Sequence, residues 1–309
     1  MTSIPDYPLV HHSLPPKNMQ SSFLSLVLAV LTLSAAADEP AAPVAPAIPP
    51  GGGWQYADIR RFVAPEARQG VAVDDEFLYV ISNHALGKYR KDTGERVAAW
   101  ECPPGQPLTH LNAGIVHEGR LYCAHSNYPG VPNLSSVEIW DTATLQHVGS
   151  HSFGRADGSL TWFDRRNGRW IACFTHYTGK GAEPGRGVEW TRLVEFDDEW
   201  RQTGAWAFPG DLLQKLSDRG FSVSGGAFGP DGLLYVTGHD DTALYVLAMP
   251  TAGPTLKWVA TIPISAQGQA FSWDRRDPNL LYTISKAGRE VIVGRVTRAS
   301  DAPVDSTRP

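Results

Sequence analysis

Between residues 70 and 283 one unit recurs five times: an apolar strand, a tight turn and a second strand, which in its clearest copies opens on Leu-Tyr. The clear copies are GVAVDDEFLYV (70–80), GIVHEGRLYC (114–123) and GAFGPDGLLYV (226–236). Looser ones are SLTWFDRRNGRWIAC (159–173) and QAFSWDRRDPNLLYT (269–283), which share an aromatic residue followed by Asp-Arg-Arg. A third strand follows every copy (LGKYRKDTG, SSVEIWDTATL, RLVEFDDEW, ALYVLAMPT, EVIVGRVTR). A fourth follows four of them (ERVAAWEC, QHVGSHSF, QTGAWAFP, LKWVATIPI). Polar and apolar residues alternate along these with the period of two that half-buried strands require.

Four strands recurring every ~40–60 residues make the blade of a β-propeller. The fifth repeat runs into a polar tail at 300–309 and lacks its outer strand. The segment WQYADIRRFVAP (54–65) supplies it, its RRFVAP resembling GAWAFPG (204–210). The expected fold is therefore all-β: a five-bladed propeller over 54–299, closed by an N-terminal strand that leaves no open sheet edge. Thirty Gly, 24 Pro, ten Trp and ten Tyr suit short strands and many turns. One helix is expected, GDLLQKLSDRG (210–220), with Leu212, Leu213 and Leu216 on one face and Gly220 as its C-cap.

Ahead of the repeats, the apolar run Phe23–Leu33 and the segment Ser34-Ala35-Ala36-Ala37 read as a signal peptide over 1–37 cleaved before Asp38, with 1–18 an extra N-terminal segment. The run is too short to span a bilayer. Residues 38–53 (DEPAAPVAPAIPPGGG) read as an extended linker. The mature chain is thus expected to be secreted or periplasmic, without a membrane span. A formal net charge of −5 and the lack of any basic stripe argue against nucleic acid as a partner. The three cysteines, Cys102, Cys123 and Cys173, have no metal-ligand spacing, and the last two fall in apolar strands as buried thiols.

In such a ring the start of each inner strand and the exit of each second strand converge on one face. The inner-strand starts carry Arg68 and Gln69, His110 and Asn112, Asp157 and Ser159, Ser222 and Ser224, Gln267 and Gln269. The exits carry Asn83 and His84, His125 and Asn127, His176, His239 and Asp240, and Lys286. The candidates for general base or metal ligand are His110, His125, His176 and His239, since neutral imidazole serves both roles. Two or three of them with a Gln or Asp can hold a divalent ion acting as Lewis acid. Gln69, His84, Asn112, Asn127, Asp240, Gln269 and Lys286 are the candidates for substrate binding, with Tyr128 and Tyr177 stacking on a flat ligand. The last two sit in the matching segments CAHSNYPGVPN (123–133) and CFTHYTGKGAEPGRG (173–187), where Lys180 and Arg186 can meet a carboxylate. The repeated Asp-Arg-Arg (164–166, 274–276) reads as turn chemistry.

GGAFGPDGLLYV (225–236) resembles the blades of the lactonase- and lyase-like propellers. The segment RQGVAVDD…KYRKDTGERV is distantly similar to glutaminyl cyclotransferases of the plant and bacterial type. The resemblance is diffuse over 67–297 and departs at Val71-Ala72, where those cyclotransferases carry Leu-Glu after Gln-Gly, so no catalytic residue carries over. Some sugar-acting propeller lyases have a His-rich metal site with a Gln ligand, which would correspond to His110, His125, His176, His239 and Gln267 or Gln269. The expected function is an exported lyase, hydrolase or cyclase acting on a small polar molecule such as a sugar derivative. The alternative is a non-catalytic propeller that binds carbohydrate or protein.

Overall fold

The computed structural model describes residues 53–155 and 157–298. Twenty strands form five antiparallel four-stranded sheets. Blade one is β2 (Gly70–Val73), β3 (Phe77–Ile81), β4 (Ala85–Arg90) and β5 (Arg96–Glu101). Blade two is β6 (Leu111–His117), β7 (Arg120–Ser126), β8 (Ser135–Asp141) and β9 (His147–Gly154). Blade three is β10 (Ser159–Arg166), β11 (Arg169–Thr175), β12 (Arg192–Phe196) and β13 (Gln202–Ala207). Blade four is β14 (Gly225–Phe228), β15 (Leu234–Thr237), β16 (Ala243–Ala248) and β17 (Lys257–Pro263). In blade five, β18 (Ser272–Trp273), β19 (Leu280–Ser285) and β20 (Glu290–Arg298) are completed by β1 (Trp54–Val63), which pairs with β20 from Trp54↔Arg298 to Val63↔Glu290. The five-bladed ring and its N-terminal closing strand are as the repeats predict. The signal-peptide, linker and tail readings fall outside the described residues, except Gly53.

Burial falls from the inner to the outer strand of a blade. All four residues of β2 are buried, whereas none of β5 is and exposed residues dominate it. Inner strands lie between two neighbouring blades, so both their faces are apolar. Five cores fill the five blade junctions. Leu78 and Val80 meet Ile284 and Val291 between blades one and five. Ile81 and Leu86 meet Leu121 and Trp140 between one and two. Val137 meets Phe174 and Val194 between two and three. Trp162 and Leu193 meet Val236 and Tyr245 between three and four. Leu244 and Val246 meet Leu281 and Ile292 between four and five. Each fully buried Leu, Ile or Val contributes ~1.5–3 kcal/mol, so every junction is apolar enough to hold its two blades. Cys123 and Cys173 lie free in two of these junctions, as expected.

Hydrogen bonds also join the blades around the channel. Leu111 N–H donates to Asn83 O, Asn112 Nδ2 to Leu160 O, Thr161 Oγ1 to Val223 O, Thr237 Oγ1 to Gln269 O, and Ala270 N–H to Gln69 O. Every junction of the ring thus has a bond beside the cavity described below.

The Leu-Tyr of the repeat has a local cause. Tyr79 Oη donates to Asp74 Oδ2 (2.7 Å) and Tyr235 Oη to Asp231 Oδ2 (2.9 Å). The other oxygen of each carboxylate accepts turn N–H groups, from Glu76 and Phe77 in one blade and Leu233 in the other. The Asp-Arg-Arg copies separate. Asp274 is turn chemistry, accepting from Arg276 and Asp277 N–H. Asp164 instead sits within β10 and accepts Phe228 N–H of blade four (2.7 Å). Burial pushes its carboxyl up against that bond, Arg165 N–H and the Arg275 charge. Arg275 reaches from blade five to Val73 O of blade one (3.1 Å) and Val116 O of blade two. It stands across the far end of the channel, in a small cavity of about 180 Å³ lined by all five blades.

The helix, α1 (Gly210–Leu216), buries Leu212, Leu213 and Leu216 as expected. It is shorter than predicted: Ser217 is its C-cap, and Gly220 belongs to the next turn, with φ +81° and its N–H on Ser217 O. Among the described residues no helix is long and apolar enough to cross a membrane.

Candidate functional site

A cavity of about 610 Å³ opens where the channel meets the face carrying the second-strand exits. Each blade supplies one residue from its inner-strand start and one from its exit. These are Gln69 and Asn83, Asn112 and Tyr128, Thr161 and Tyr177, Ser224 and His239, Gln269 and Lys286. Arg68, Thr109, His110, Pro129, Lys180 and Phe221 complete the wall.

Of the predicted site residues, Gln69, His110, Asn112, Tyr128, Tyr177, His239, Gln269 and Lys286 line this cavity. His84, His125, Asn127, His176 and Asp240 do not. His84 is exposed, one residue beyond Asn83. His125 lies inside β7, and both its ring nitrogens are engaged: Thr109 N–H donates to Nε2 (3.2 Å) and Nδ1 pairs with Ser136 Oγ (2.9 Å). Ser136 in turn donates to Glu138, which also accepts from Ser150 and pairs with His147. His176 is buried with Nε2 on Asp157 O (3.1 Å) and Nδ1 3.8 Å from Glu183. Asn127 ties its own loop, accepting Leu134 N–H and donating to Pro132 O. Asp240 stands behind His239. The four histidines therefore do not form one cluster, and among the described residues no three His, Cys, Asp or Glu side chains are placed to share a metal ion.

His239 is held from two sides. Its Nδ1 lies 2.9 Å from Asp240 Oδ1, and its ring stacks on Phe221 with centroids 3.7 Å apart and planes 8° from parallel. A carboxylate only accepts, so Nδ1 carries the proton and Nε2 the lone pair. Burial holds the imidazole below its usual range, with Lys286 and Arg219 assisting and Asp240 opposing. Across the ring, His110 packs at 5.0 Å from Tyr128, which packs edge-on to Tyr177 at 5.1 Å. Burial, then the positive charge of neighbours including Lys286, takes the His110 pKa down to about 4. Both imidazoles are thus neutral bases at neutral pH.

Gln269 is strained. Its φ is +67°, a left-handed conformation uncommon for a residue with a side chain, and the preceding Gly268 is also left-handed. A Cβ at Gly268 would collide with the carbonyl oxygens of Gly238 and His239. The turn is pinned by Gly268 N–H on Asp241 O and Gln269 N–H on Gly238 O, which brings the buried Gln269 to the wall beside His239. Strain of this kind gathers at functional sites. The amide of Gln69 is fixed by its bond to Asn83 Oδ1 (2.5 Å).

The sequence reading passes over Phe221 and Thr161. Phe221 lies beyond α1, with no repeat position to mark it. Thr161 is read only as part of an inner strand, although it occupies in blade three the place of Asn112 in blade two. No family model matches the chain, and a search of curated proteins found no relative.

Proposed function

We propose that the protein is an enzyme of the lyase, hydrolase or cyclase type that binds a small polar molecule in the channel-mouth cavity. His239 is its general base. One observation carries the reading: a neutral imidazole on the cavity wall, oriented through Nδ1 by Asp240 and held flat by Phe221. In the reaction Nε2 accepts a proton from the substrate or from an attacking water, and Asp240 stabilises the imidazolium that forms. A base so placed contributes ~10²–10⁴-fold in rate. The amides of Gln69, Asn83, Asn112 and Gln269 orient hydroxyl and carbonyl groups, and Tyr128 offers a face for a sugar-like ring. The lactonase- and lyase-like propellers that the blades resemble include non-catalytic binders, so the fold does not choose between the readings and the site carries the proposal. Export, read from residues 23–37, belongs to the same proposal.

The test is turnover. Wild type and His239→Gln are incubated with a library of sugar lactones, uronates, other hydroxy acids and glutaminyl peptides, and the products are followed by mass spectrometry. We expect a substrate whose turnover falls about 10²–10⁴-fold in the variant while its binding persists. Ligands that bind wild type and are never transformed would overturn catalysis in favour of a binding propeller.

A further inference from the structure

We infer that the molecule this cavity takes is a small organic dianion, with one acidic group between Arg68 and Lys286 and the other at Lys180. The inference rests on the cavity being the ligand site, and deepens that reading by naming the ligand's charge.

No Asp or Glu lines the cavity, while Arg68, Lys180 and Lys286 all do. Among the described residues none of the three forms an ion pair, a hydrogen bond or a cation–π contact. By contrast, Arg61, Lys91, Arg96, Arg120, Arg192 and Arg295 each hold a carboxylate. The chain has 32 acidic residues against 27 Lys and Arg, so three unpaired cations around one cavity do not reflect a surplus of basic residues. The carboxylate paired with His239, Asp240, is engaged by His239 at 2.9 Å and Arg219 at 3.7 Å. Arg68 lies close enough to Lys286 to depress its ammonium pKa, after burial and against the pull of Asp240. Like charges brought together in a concave site raise the local affinity for an anion.

The topology separates the charges into two poles. Arg68 precedes the inner strand of blade one and Lys286 follows β19 of blade five, so they flank one junction. Lys180, on the loop after β11, belongs to blade three, which faces that junction across a ring of five. His110 and His239, from blades two and four, stand on the two sides between the poles. Neutral imidazoles there leave an anion bound by the cations alone. A molecule with acidic groups at both ends therefore lies with its middle beside His239 Nε2, and about 610 Å³ is ample for a chain of six to eight carbons.

Dicarboxylates and phosphorylated carboxylates share this chemistry. The experiment is calorimetric titration of the full chain with adipate, galactarate and 6-phosphogluconate, against gluconate as monoanion and glucose as neutral control. We expect saturable binding of at least one dianion, about 10- to 100-fold tighter than gluconate, with glucose weaker still. Galactarate ahead of 6-phosphogluconate marks a dicarboxylate site, and the reverse order a phosphate at one pole. Lys180→Met and Lys286→Met are each expected to weaken the dianion about tenfold or more, with unchanged thermal unfolding of the free proteins. Gluconate or glucose binding as tightly as every dianion, or Lys180→Met without effect, would overturn the two-pole inference. Dianions that bind the wild type and are never transformed by it remove only the catalytic reading. His239-dependent turnover of a neutral substrate removes only this one.

Discussion

Gln269 holds a backbone conformation that costs a non-glycine residue about 1–3 kcal/mol, and its side chain makes one long bond, 3.4 Å, to His239 O. Under the proposed function, the amide of a residue so poorly rewarded by the fold is a ligand-binding group. Gln269→Gly should therefore leave the unfolding free energy unchanged or raise it by up to ~1 kcal/mol, while ligand affinity falls. Chemical denaturation beside titration checks both halves, and a clear loss of stability would refute the argument. The same scale explains why the site was only partly legible. In four blades the exit residue on the cavity wall is the second one past the strand: Asn83 after Ile81, Tyr128 after Ser126, Tyr177 after Thr175, His239 after Thr237. His84, His125 and His176 miss that position by one residue or three. His125 lies within β7, where its ring turns toward Ser136, while His84 and His176 sit one residue from Asn83 and Tyr177. Histidine as a residue type drew attention to the right turns, but the position within the turn decides which histidine faces the ligand.

At the scale of the element, blade two is held by a carboxylate. Glu138, buried in β8, accepts from Ser136 (2.6 Å) and Ser150 (2.9 Å) and pairs with His147 (2.8 Å). Ser136 links it to His125, and His125 Nε2 receives Thr109 N–H next to His110. Glu138→Ala strands these partners and should cost about 2–4 kcal/mol in urea unfolding, whereas Glu138→Gln keeps an acceptor and should cost less. Equal losses in the two variants would show that the network contributes little. The strands themselves were readable because the strand–turn–strand unit recurs in every blade, and in blades one and four an Asp and a Tyr tie the first turn to the second strand. The end of α1 was not, since Ser217 closes the helix before Gly220 is reached. Glycine marks a left-handed turn, and here that turn lies beyond the helix.

For the whole molecule, six of the ten histidines (His110, His117, His125, His151, His176 and His239) are held below their ordinary pKa, chiefly by burial. A depressed folded pKa means that the unfolded chain binds protons first. Stability is then complete above the ordinary histidine value of ~6.5 and declines as the pH falls below it. The decline should continue to about 4, where His110 at last protonates among His84, His125, His239 and Lys286. Thermal unfolding between pH 7.5 and 4.5 should show a falling midpoint, and His110→Gln should flatten the acid end of the curve by an amount of order 2 kcal/mol. A midpoint independent of pH over that range would contradict this. The five-fold ring and its closure were legible from end to end, because an outer strand missing at one terminus and present at the other admits few arrangements.

Arg275 has a kinetic consequence. With its guanidinium bonded to blades one and two across the far end, the ring is a cup and not a pipe. Under the function proposed above, a product must depart by the door through which its substrate came. Product and substrate then exclude one another on every visit, and the slowest event in a cycle can be the exit of a molecule that has nowhere else to go.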